Sequence, residues 1–337
     1  DMALIALRSP QFKFINIPII STAVSAKCVI TIDSTQRYVL TKNSQRNNTV
    51  NFDISELARD YLEITYDANY VPQTIDIVTT LSIWDGLNAT GNQVDVDVVF
   101  TDTGFEAYGE YEDGTNPQLP PSSYLISGNP DACSSTGNDS VDIYYPLNTS
   151  GKIPLSNAYA ISVQSFSTTS IIIGTQYPST ISRIGCTKYG DGRKIIFINK
   201  FGVQQDLWFF LKETKTLGRK NEGYKANTLT YPNTDLPAQY SVQDAPNKVF
   251  NTTAKQSFTL SSGYYPEQAN QFFEQLLLSE YVWLERLKKL KNCNVSTIIV
   301  PVKVKKSSIK FKTSVNDRLI EYTIDFEEAF DYINNIR

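Results

Sequence analysis

Apolar and polar positions change period several times along the chain, and the densest apolar stretch is Arg193 to Lys212, RKIIFINKFGVQQDLWFFLK. Two apolar runs, IIFI and LWFFL, flank a polar connection built on Asn199, Lys200, Gly202, Gln204, Gln205 and Asp206. A glycine in a polar bridge between β-branched and aromatic runs predicts a hairpin. Neither run alternates cleanly, so both faces of the hairpin are expected to be covered. Adjacent Trp208, Phe209 and Phe210 carry enough aromatic area to mark the centre of a core rather than an active site.

Before this hairpin the pattern is mostly of period two. The first residues, DMALIALRSPQF, lack a basic leading region and are read as a strand or arm. SAKCVITID and QRYVLTKN form a strand pair turning near Asp33-Ser34-Thr35. The period then lengthens: Ile54, Leu57, Ala58, Tyr61 and Leu62 share one helical face, with Asp53 as cap and Glu56 completing a capping box. TIDIVTTLSIWDG and QVDVDVVFTD return to alternation, joined by a turn-rich segment from Leu87 to Asn92. An acidic segment, Phe105 to Asp113, precedes a Pro- and Ser-rich run that reads as linker.

Short strands recur from about residue 141, the cadence of a sandwich or barrel. After Lys212 the chain is polar as far as Lys255 and is read as a long loop-like excursion of the functional or partner-docked kind. SFTL and a glycine turn follow. Pro266 then opens a helix carrying Ala269, Phe272, Phe273, Leu276 and Leu277, with a break at Ser279. TIIVPVKVK, IKFKTS and LIEYTIDFEEAF are read as strands, the last two joined at Asn316-Asp317, with Lys303, Lys305, Lys310 and Lys312 on solvated faces. The expected class is therefore mainly β and multidomain: sandwich- or barrel-like domains, a few short helices and a C-terminal α+β piece. The expected divisions are 1–112, a linker at 113–140, 141–255 and 256–337.

Composition narrows the chemistry. The chain has 337 residues, 41% hydrophobic and 20% charged, with a net charge of −4. That near-balance argues against nucleic-acid binding, and no run of eighteen apolar residues points to a membrane span. Histidine is absent, which removes the commonest general base and zinc ligand. Cys28, Cys133, Cys186 and Cys293 lack metal spacing, and Cys28 is expected to sit as a small hydrophobe. Asp95 and Asp97, read as sharing one strand face, are followed by Asp102, Glu106, Glu110, Glu112 and Asp113. The set could serve a glycosidase or calcium, but it lacks a calcium-loop spacing and is read as a solvated acidic loop. Tyr108, Tyr111, Tyr124, Tyr144 and Tyr145 are candidates for stacking on sugars or anchoring an interface. Asn-x-Ser/Thr triplets carry no weight in a chain so rich in these residues. No enzymatic activity, cofactor, metal or small-molecule ligand is expected.

FINKFGVQQDLWFFLK, with YKAN at Tyr224 to Asn227, SFTLSSGYYPEQANQFFEQLLLSEYVWL and NDRLIEYTIDFEEAFDYINNIR, resembles a group of tailed-bacteriophage virion proteins. Their shared elements are F-x-N-[RK]-[FY]-G followed by D-x-W-F-F, a T-G turn, a helix ending LLLSE-x-V-W, and a terminal strand with Y-T-I-x-F-E. FDISELARDYLE fits the same group. Here Ser261-Ser262-Gly263 stands at the T-G position, and the lysine-rich stretch 286–291 is longer. The resemblance covers mainly residues 190 to 337 and implies a structural component of a tail, neck or baseplate, assembled as a homo-oligomeric ring or shell with other virion proteins. It places the protein in the virion, after synthesis in the host bacterial cytoplasm. It implies that segments 113–140 and 213–255 become ordered on assembly. The residues matching its motifs are Phe197, Asn199, Gly202, Asp206, Trp208, Phe209, Phe210, Trp283, Tyr322 and Phe326, expected in the core or in assembly contacts. A carbohydrate- or receptor-binding module is the alternative reading.

Overall fold

Arg193–Ile198 pairs antiparallel with Gln204–Phe209, from Arg193 opposite Phe209 to Ile198 opposite Gln204, so the expected hairpin forms with residues 199–203 as its connection. The computed structural model describes residues 2–18, 22–44, 49–120, 122–127, 141–146, 149–157, 160–166, 172–173, 179–184, 192–232, 237–289, 295–305, 310 and 320–333. The fold is mainly β, in several sheets with few short helices.

The hairpin opens a seven-stranded sheet. Its order is Gln204–Phe209, Arg193–Ile198, Val282–Lys289, Val295–Val304, Ile320–Glu328, Asn247–Tyr265 and Glu213–Lys225. Gln204–Phe209 is an edge strand, yet all its residues are buried, as both-face coverage predicts. On one face Phe197, Leu207 and Phe209 join Phe258, Tyr322, Phe326 and helix α2 (Asn270–Leu278) through Phe272, Phe273 and Leu276. Phe209 meets Phe273 and Phe326 edge-to-face, at centroid separations of 6.2 and 5.8 Å. On the other face Ile196, Ile198 and Trp283 cluster with Tyr70. The strict alternation of Ile320–Glu328 buries Tyr322, Ile324 and Phe326, as its period-two pattern demands.

Helix α2 ends at Leu278 and a strand begins at Val282, so the chain breaks at Ser279 as read. Pro266 precedes a 3₁₀ turn, Glu267–Ala269, that leads into the helix. The N-terminal sheet has five strands, Met2–Ala6, Val98–Phe105, Ile75–Trp84, Ser25–Ile32 and Thr35–Asn43, in that order. Asp33 and Ser34 both take positive φ, the two-residue turn that matches strand twist. Cys28 is buried in this sheet, and burial pushes its thiol up to about 12.

Several expectations need correction. The amphipathic helix is a single turn, α1 (Ser55–Arg59), with no capping box; Asp53 accepts instead from the backbone and hydroxyl of Ser55 and from the backbone of Gln11. Its apolar face still buries Ile54, Ala58 and Leu62. The stretch after Lys212 is not a loop. Glu213–Lys225 pairs with Asn247–Tyr265 along its whole length, forming a long antiparallel arm. Residues 213–225 and 247–255 therefore pair within the chain itself. Gly263, expected in a turn, sits in a register shift inside one nineteen-residue strand. That strand runs through residue 255, and the seven-stranded sheet takes strands from both sides of the boundary expected there. The Asn316-Asp317 hairpin, Lys312, and residues 128–140 of the linker fall outside the described residues.

Candidate functional site: a buried polar joint and an exposed arm

The motif residues of the hairpin build its turn and the joint beneath it. The Asn199 side-chain oxygen accepts from the backbone of Phe201 at 3.0 Å and of Val203 at 3.4 Å. Its amide donates to the Leu125 carbonyl and to Gln205 Oε1, each at 2.9 Å. An Asn here satisfies both the tight connection and a neighbouring loop, which a hydrophobic residue could not do. Gly202 has φ of 75°, and a Cβ there would lie 2.9 to 3.0 Å from the backbone of Glu106 and Ala107. Gln205 Oε1 also accepts from the backbone and hydroxyl of Ser127, whose hydroxyl lies 2.7 Å from Gln275 Oε1.

Asp206 lies at the centre of the joint. The Tyr70 hydroxyl donates to one carboxylate oxygen and the Tyr145 hydroxyl to the other, at 2.9 Å for Tyr145. Burial pushes the Asp206 carboxyl above its ordinary value, outweighing Lys194 and the two hydroxyls, which pull it down. Burial alone would depress the Lys194 ammonium, but Asp206 and its partner Glu285 raise it. Gln204, on the same strand, bonds both backbone groups of Asp67.

A second cluster ties the N-terminal half to the hairpin side. Glu106, 2% exposed, takes two hydrogen bonds from Arg59 of α1, with Arg8 at 3.9 Å. Both arginines also reach Glu280, just beyond α2. The hydrogen bond to Glu106 is the main cause that raises the Arg59 guanidinium further.

The acidic candidates do not converge. Asp95 and Asp97 are exposed on an irregular stretch before the strand at Val98, so they share no strand face. Asp102 is buried beside Lys13 and Glu106 beside the arginines. Glu110 and Asp113 flank Lys200 and cap each other across a 3₁₀ turn, and Glu112 accepts from Tyr111. Among the described residues no group of acidic or cysteine side chains could hold a metal ion. No helix among them is long and apolar enough to cross a membrane. Of the tyrosines, Tyr144 and Tyr145 are buried, Tyr108 is half-buried, and Tyr111 is 92% exposed. The side chain of Tyr124 falls outside the described residues.

All ten motif candidates except Gly202 are large or polar side chains, and the structure buries every one of the ten. Phe197, Phe209, Tyr322 and Phe326 pack in the main core; Phe210 lies against Tyr265, and Trp208 near Tyr145. Trp283 stacks with Tyr281 on the opposite face. Sequence reasoning missed Tyr70, Arg59, Ser127 and Gln275, whose partners are 47 to 221 residues away. The signal for Gln275 was a polar residue beside Phe272 and Leu276 on an apolar helix face. The arm left a fainter signal, the alternating threonines Thr214 and Thr216 in ETKT.

The arm is the exposed counterpart of this joint. Every residue from Thr214 to Lys225 is exposed. Near its end Tyr224 and Phe250 lie 6.3 Å apart, 53% and 65% exposed. Comparison with family models, curated proteins and solved structures finds no match to this chain.

Proposed function

We propose that the chain is a structural component of a tailed-bacteriophage virion, of its tail, neck or baseplate, acting by assembly into a ring or shell with other virion proteins rather than by catalysis. Two things support the reading. The motifs behind the resemblance are framework residues: Asn199 and Gly202 form a turn, Asp206 anchors a joint, and the aromatics fill a core. The observation that carries it is the arm, a long ribbon with one bulge at Phe250, whose described outer residues, Leu217, Tyr224, Val249 and Phe250 among them, stay in water. Large exposed apolar side chains on a rigid projection are what an assembling subunit presents. In a ring each subunit offers two different surfaces, and the rotation between them closes.

Electron microscopy of the purified full chain at rising concentration tests this. Closed rings or short stacks are the expected result. Isolated subunits at every concentration would contradict the ring, and glycan binding by such subunits would favour the receptor-binding alternative.

A further inference from the structure

The arm leaves the body of the sheet gradually. Ile320–Glu328 flanks the Asn247–Tyr265 strand only from Ser257 onward, and Tyr332 bonds the Ala254 carbonyl. Farther out, residues 220–225 and 247–253 pair only with each other among the described residues. That two-stranded part extends about 24 Å, since a strand rises about 3.4 Å per residue. A two-stranded ribbon in water is marginal unless something covers it. Its apolar side chains stand among charges: Tyr224 is directly opposite Lys248, with Lys220 and Lys225 close by on its own strand, while Glu222 lies 4.0 Å from Lys220 and Asp244 3.3 Å from Lys248. From Glu213 to Lys255 the chain carries six basic residues and four acidic ones. The excess acidity of a molecule with net charge −4 therefore lies elsewhere.

Part of it lies in a second uncovered surface. Residues 91–99 are exposed throughout, and they hold Val94, Val96, Val98 and Val99 around Asp95 and Asp97. Val96 is 81% exposed. Met2–Ala6 joins its neighbouring strand only from Thr101 on, so among the described residues Val98–Phe100 have a strand on one side and none on the other. Val98 and Val99, exposed on a strand paired on one side only among the described residues, are a template for another strand, and Val94 and Val96 extend the apolar surface beside them. The chain's own arm does not cover them.

The geometry points to a heterologous contact between copies, in which the arm of one subunit docks on the Val94–Val99 segment of the next. The inference rests on the assembly reading and names its contact. Aromatic rings and lysines on the arm meet valines and aspartates on the segment, so apolar area and charge both match. The two surfaces differ, as a head-to-tail contact requires.

Carbodiimide cross-linking of a mixture of ¹⁴N- and ¹⁵N-labelled full chain, read by mass spectrometry, tests it. Mixed-isotope links from Lys220, Lys225 or Lys248 to Asp95 or Asp97 are expected. Tyr224→Ser with Phe250→Ser is expected to weaken association about tenfold or more, the loss typical of buried aromatic anchors. These positions are exposed, so an unchanged circular dichroism spectrum and melting temperature should accompany that loss. Lys220→Glu with Lys225→Glu should impair assembly, and adding Asp95→Lys and Asp97→Lys to the same chain should restore it. An oligomer whose mixed links lie elsewhere, and which neither Tyr224→Ser with Phe250→Ser nor Lys220→Glu with Lys225→Glu weakens, overturns this contact but leaves the ring reading standing. A chain that stays monomeric and forms no mixed links overturns both.

Discussion

The Tyr145 hydroxyl donates to Oδ2 of Asp206 across 61 residues of sequence, while Tyr70 donates to Oδ1 from the N-terminal half. One carboxylate thus joins three separate stretches of chain. Burial raises its pKa in the folded state above its unfolded value. A group of this kind binds its proton more tightly when folded, so its contribution falls as pH rises from the ordinary carboxylate range through the folded value. Asp206→Asn removes that slope. The stability gap between wild type and variant should therefore narrow as pH rises through this window. Melting temperatures from pH 3 to 8 check it, and parallel curves would contradict it.

Tyr70→Phe deletes one of the two donors and leaves a buried acceptor short of a partner. A loss of about 1–3 kcal/mol is expected. The hydroxyl is one of the influences that lower the Asp206 pKa, so a carboxyl-detected NMR titration should move Asp206 further up. A shift downward would mean that Tyr70 does not act on the charged form.

Arg59→Ala should cost about 3–5 kcal/mol, because it strands a nearly fully buried Glu106 with only Arg8 at 3.9 Å. Adding Glu106→Gln should recover part of the loss, since a neutral amide is less costly to bury unpaired. Denaturant midpoints of the two variants decide it. A double variant no more stable than the single would show that the pair acts through packing alone.

Gly202 and Gly263 both take positive φ, at 75° and 80°. The left-handed conformation alone costs a non-glycine residue about 1–2 kcal/mol. At Gly202 a Cβ also meets backbone at 2.9 Å, whereas at Gly263 its nearest contact is the Phe210 Cβ at 3.3 Å. Gly202→Ala should therefore be the more destabilising of the two in thermal unfolding. The reverse order would mean that the turn yields more easily than the bulge.

The parts legible in the sequence are those whose pattern is local. IIFI and LWFFL around Asn199 and Gly202 announce a hairpin, and Phe272, Phe273 and Leu276 announce the helix above it. Tyr322, Ile324 and Phe326 alternate because one face of their strand is dry. The arm was illegible for the opposite reason: Glu213–Lys225 buries no face, so no apolar period marks it as a strand. VDVDVV misled in the other direction. It alternates like a strand, but apart from the Val94 amide on the Ile83 carbonyl it pairs only from Val98 on. The joint was hidden because Asp206, Tyr70 and Tyr145 are polar residues whose meaning depends on distant neighbours.

The central claim is assembly through the arm, and light scattering on two chains tests it most directly. One is the full chain. In the other, Asn-Gly replaces residues 220–253 between Arg219 and Ala254, which already face each other in register. The account predicts a concentration-dependent rise to a closed oligomer mass for the full chain. It predicts a monomer of nearly unchanged melting temperature for the shortened one. An oligomer of the same mass from both chains would contradict it.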